Sequence, residues 1–113
     1  MEWLTWILQG LLGLAFIMAG LGKVTGSKMH VEGFEHWRLP QWFRVVTGFL
    51  EIAAAGLLIA GFWVDHLALY GAVILSAVGI GGVLTHVRVK DGLKESFPIF
   101  VLGVLAIVLV FLL

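Results

Sequence analysis

The chain contains no cysteine. That absence removes disulfide exchange, thiolate metal sites and thiol nucleophiles from the functions open to it. Charge is scarce too, at 12% of 113 residues, while 61% are hydrophobic, so no soluble domain has room beside the apolar runs. The formal net charge is zero, which argues against a nucleic-acid partner. No basic segment precedes the first apolar run, and that run is too long for a secretory signal, so it is expected to stay in the mature protein. No internal repeat, linker or low-complexity tract interrupts the chain.

What remains is four long apolar runs, which specify an all-α integral membrane protein of one domain, an up-down four-helix bundle. The spans are expected at about 3–22, 42–64, 67–87 and 97–113. Lys23 to Lys28 stops the first, and residues 29–41 are expected to be a mixed loop. Asp65-His66 reads as a very short turn that makes spans two and three antiparallel neighbours. Ser96-Phe97-Pro98 reads as a helix start, with Ser96 as N-cap and proline in the first turn.

All seven basic residues (Lys23, Lys28, Arg38, Arg44, Arg88, Lys90, Lys94) lie in or beside the first and third connections. The positive-inside rule then sets these connections in the cytoplasm and both termini outside. Trp3, Trp6 and Trp63 mark the outer interface and Trp37 and Trp42 the inner one.

One carboxylic acid, Glu51, interrupts the second span. It lies nine residues past Trp42, roughly 13–14 Å into the bilayer. A charge at that depth costs at least ~2.5–3.5 kcal/mol, so the side chain must face protein or water. Its helical face holds Arg44, Thr47, Gly48, Ala55 and Leu58. The face of His86 on span three holds Gly82, Gly79, Leu75, Ala72 and Ala68, and that of Lys23 on span one holds Ala19, Phe16, Leu12 and Gln9. Span four reads as a packing wall. Helical side chains lean toward their own N-terminus, which draws Lys23, Arg44, Glu51 and His86 toward one buried polar site. Glu51 and His86 are its candidate proton-exchanging, catalytic residues. Lys23 and Arg44, with Gly48, Gly79 and Gly82 leaving room for a pocket, are its candidate ligand-binding residues.

Each residue also has a plainer reading. Lys23 can be a snorkelling anchor, Arg44 a positive-inside charge, His86 a cation at a helix C-terminus, and Glu51 a buried glutamate that fixes helix register. His30, Glu32, Glu35 and His36 lack zinc spacing and read as an interfacial amphipathic segment, so no metal site is expected. The glycines of 78–82 follow no strand and read as helix packing.

Three ordered patterns resemble the DoxX-like family of small four-span membrane proteins. They are Phe16-x-x-Ala19-Gly20-x-x-Lys23, Leu39-Pro40 followed by Gly48-x-x-Glu51-x-x-Ala54, and Thr85-His86-x-Arg88-x-x-Asp91. The resemblance implies a four-helix bundle in a bacterial plasma membrane and a loose link to quinone-dependent redox chemistry. A bound quinone is the cofactor implied, with no intrinsic one. The partners implied are the lipid bilayer and an oxidoreductase subunit.

Three functions compete. The first is a quinone- or quinol-linked redox protein or subunit, which would need a partner or second substrate to supply electrons. The second is an assembly factor or chaperone that holds a client membrane protein's helix. The third is a proton-coupled transporter of a small solute, for which four short spans require a homo-oligomer.

Overall fold

A computed structural model describes residues 2–113. Five helices account for nearly all of it: α1 (Glu2–Thr25), α2 (Lys28–His36), α3 (Gln41–Ala60), α4 (Asp65–Arg88) and α5 (Leu93–Leu112). Four of them, α1, α3, α4 and α5, are long and apolar enough to cross a membrane. The long dimension of the molecule, 39 Å, exceeds the ~30 Å of a hydrocarbon core. Large apolar side chains such as Trp3, Met18, Phe49, Tyr70 and Phe111 are exposed along the spans, as a lipid-facing surface requires.

Around the bundle the order is α1, α3, α4, α5. Extensive contacts join each successive pair, and a lighter seam joins α5 back to α1. The core lies along this axis and includes Leu8, Leu12 and Phe16 of α1, Ala54, Ala55 and Leu58 of α3, Ala72 and Leu75 of α4, and Ala106 and Leu109 of α5. The buried positions on α1, α3 and α4 follow the faces read from the sequence. Small residues let the backbones close, because lipid offers helices no hydrophobic drive to associate and contact area must supply it. A Cβ on Gly79 would stand 2.5 Å from Cα of Gly103, so α4 meets α5 backbone to backbone. Deeper along α1, Nε2 of Gln9 donates to the Leu58 carbonyl at 2.6 Å and ties α1 to α3.

The connections depart from expectation in three places. The expected loop 29–41 holds most of α2, whose Phe34 is buried and meets Trp37 edge-on at 5.3 Å; its charged residues Lys28, Glu32 and Glu35 face outward, which is why its composition resembles a loop. The turn between α3 and α4 comes four residues early, at 61–64. There Gly61 lies so close to Ala68 that a Cβ would meet it at 2.5 Å, and Asp65 opens α4 instead of making the turn. Helix α5 begins at Leu93 with Gly92 as N-cap, so Ser96 does not cap it. The Ser96 hydroxyl donates back to the Gly92 carbonyl at 3.1 Å. Pro98 then lies inside the helix, where its missing N–H deprives the Lys94 carbonyl of a helical partner.

Candidate functional site

Glu51 sits on the inward face of α3 and is 2% exposed. One turn before it, Gly48 leaves α1 free to approach. A Cβ there would stand 2.8 Å from the Gly20 carbonyl oxygen and 2.9 Å from Lys23 Cβ. This approach lays the Lys23 stem across α3 and brings its Nζ to 2.9 Å from Glu51 Oε1. Beyond this contact the buried Oε1 has no hydrogen-bond partner among the described residues. Lys23 keeps 12% of its side chain exposed and is the member of the pair that reaches the surface.

Arg44 serves the same end of the bundle differently. Its Nε donates to Gln41 Oε1 at 2.7 Å, and a terminal nitrogen donates to the Lys23 carbonyl. That carbonyl belongs to the last turn of α1, where helical acceptors lack partners and the macrodipole favours a cation. Above it lies His30 of α2, whose ring fills the space a side chain on Gly22 would need. Burial, and then the charges of Lys23 and Arg44, lower the His30 pKa below its ordinary value of 6.5.

A second polar cluster forms where α4 ends. Lys90 adopts φ 61°, the left-handed conformation that closes a helix, and Asp91 N–H then bonds back to the His86 carbonyl at 2.9 Å. This Schellman geometry folds Asp91 over the ring it follows. Its Oδ2 accepts from His86 Nδ1 at 2.6 Å and from Trp37 Nε1 at 3.3 Å, while Oδ1 accepts from His36 Nε2 at 2.6 Å. Trp37 meets His86 edge-on at 5.1 Å, and Arg88 donates to the Trp37 carbonyl. The hydrogen bond from His36 leads the causes that hold the Asp91 carboxyl below its usual range.

The residues expected to converge thus divide. Lys23 meets Glu51. Arg44 turns to the carbonyl end of α1, which lies nearer its fork than the acid two turns away. His86 turns to Asp91, which the chain reversal sets directly on it. Among the glycines, Gly48 receives α1, Gly79 receives α5, and a Cβ on Gly82 would meet Ile99 Cγ1 at 2.6 Å. The room they leave is filled by neighbouring helices. Two concavities lie elsewhere: an open groove on α5 beside Phe97 and Pro98, and a cleft of ≈ 540 Å³ at the far end of the bundle, beside Gln9 and Asp65. Among the described residues no group of three or more His, Asp or Glu is placed to hold a metal ion.

From composition alone His30 and His36 fall in a loop, and Asp91 and Trp37 have no part in a site. The sequence marks Asp91 only through the pattern Thr85-His86-x-Arg88-x-x-Asp91, which sets it five residues after His86, just beyond the helix end.

Comparison with known proteins adds to this geometry. Residues 7–110 match the sequence model of the DoxX-like family. An uncharacterized protein of Bacillus subtilis (strain 168), YdgD, is 33% identical over 75 residues, which cover 66% of each chain. The match therefore spans about two thirds of that relative's length. No solved structure matches.

Proposed function

The chain belongs to the DoxX-like family, and from that premise we propose that it is a quinone- or quinol-linked redox protein, or a subunit of one, acting through Glu51 and Lys23. The observation that carries this reading is the buried Glu51 carboxylate, whose Oε1 meets one lysine at 2.9 Å and has no further polar partner among the described residues. A purely structural pair gains from full hydrogen bonding, since desolvation of both charges otherwise outweighs their attraction. Reduction of a quinone takes up two electrons and two protons. The Lys23 ammonium is suited to polarise a carbonyl oxygen as negative charge develops on it, and Glu51 is suited to take up each of the two protons in turn from water at the Lys23 opening and hand it to the reduced oxygens. Access is by way of Lys23, from the bundle end that α2 covers. The electrons come from a partner subunit or second substrate.

The test uses the full chain in lipid nanodiscs with decyl-ubiquinone and a menaquinone analogue as probes. Wild type should gain thermal stability with one of them. Glu51→Gln should keep the fold and bind, yet lose any quinone-coupled turnover, because glutamine preserves shape and cannot ionise. Lys23→Met should lose binding. A wild-type protein indifferent to both quinones would reject the reading.

A second reading, as a partner for another membrane helix, is favoured by Gly56 and Gly81. Both have open space around them and lie on exposed faces of α3 and α4, unlike the glycines the fold itself uses. A client protein or a second copy of the chain would pack there.

A further inference from the structure

We propose that His36, Asp91 and His86 form a second acid–base centre, in which one carboxylate shared by two imidazoles from separate segments takes up and releases a single proton. It is separate from the Lys23–Glu51 pair and does not rest on the quinone reading.

The hydrogen bonds fix the resting state. An ionised carboxylate only accepts, and Asp91 accepts from both rings at 2.6 Å. The proton on His36 is therefore on Nε2 and that on His86 on Nδ1. The opposite nitrogens, Nδ1 of His36 and Nε2 of His86, have no hydrogen bond among the described residues and are the two places where a further proton can land. Either gives an imidazolium facing a carboxylate, and the centre is then neutral. A second proton would set two cations against one anion, so each ring's occupancy depends on the other's.

The three groups differ in access. His36 is 58% exposed, while Asp91 and His86 keep only 8% and 11% of their side chains exposed. Solvent reaches the centre through His36, and His86 is its enclosed end, roofed by Trp37. Arg88, held on the carbonyl of the Trp37 that roofs the centre, is a fixed cation beside it and further opposes a second proton. Glu35 and Arg38 on the α2 side, Lys90 in the turn, and Lys94 and Glu95 on α5 complete the charged groups of these segments; none makes a hydrogen bond or ion pair to the centre among the described residues. The chemistry assigned is that of a general acid and base, with a histidine whose tautomer a carboxylate holds.

Histidine-selective nitrogen NMR on the full chain in nanodiscs, titrated from pH 8 to pH 5, tests this. At pH 8 the signals should show Nδ1–H on His86 and Nε2–H on His36. On acidification both rings should move in two shared steps. In Asp91→Asn each should titrate in one step of its own, with exposed His66 at the opposite end unchanged as control. Should Asp91→Asn fail to fold, His36→Gln serves instead: His86 should then titrate in a single step at higher pH than its second wild-type step. An Nε2–H tautomer on His86, or single independent steps in the wild type, would overturn the proposal.

Discussion

At the scale of single residues, Glu51 and Lys23 make each other tolerable in the membrane. Removing one partner of a buried pair typically costs about 3–5 kcal/mol, much of it from the charge left behind. Lysine is the more forgiving survivor, because it reaches the surface and can carry its charge outward along its stem. His30 offers a pH test. Its folded pKa is lowered by burial and by Lys23 and Arg44, so the unfolded chain binds a proton first as pH falls. Stability should decline below the ordinary value of 6.5 and level only below the folded value. The thermal midpoint in detergent should therefore drop between pH 7 and pH 5, and His30→Gln should drop less. Asp91 acts in a separate window: its depressed pKa adds stability that is lost only as pH falls below 3.8. Glu51 was legible because a carboxylate in an apolar run has few places to face. Asp91 was not, because its position depends on a left-handed lysine that composition does not announce.

At the scale of elements, glycine separates two kinds of close approach. Gly79 of α4 meets the Gly103 backbone of α5, which cannot move aside, whereas Gly82 meets the side chain of Ile99, which can turn. Gly79→Leu should therefore lower stability by about 1–3 kcal/mol or more, and Gly82→Ala by less. Met18→Leu, at a site 73% exposed, should be nearly silent. Thermal melts of the three variants in one detergent check the order; equal melts would remove the backbone contact from the account. The inward faces of α1, α3 and α4 were readable from 3.6-residue periodicity. The termini were less so. The start of α5 turned on Gly92, since a helix can begin before its apolar run when a polar first turn lies in water. The nine residues of α2 were hidden because one buried phenylalanine among polar neighbours leaves little periodic signal.

At the scale of the whole molecule, three helix ends gather on the side that carries every lysine and arginine. There α1, α2 and α4 close with left-handed residues Gly26, Arg38 and Lys90. By the positive-inside rule, charge segregation of this kind is expected to face the cytoplasm, which would set both termini outside. A cysteine or epitope tag added at the C-terminus should react with impermeant reagents in intact cells, and protection of the tag would reverse the orientation. The Lys23–Glu51 contact also bears on how the chain enters the bilayer. Spans leave the ribosome in order, and the lysine is made before the acid. When α3 arrives as an apolar segment with a carboxylate at its middle, the ammonium that receives it already stands at the mouth of α1. Delivered alone, α3 would meet a hydrocarbon phase with nothing to answer its charge. The chain is thus written in the sequence in which its membrane insertion has to be solved, with the counter-ion synthesised first.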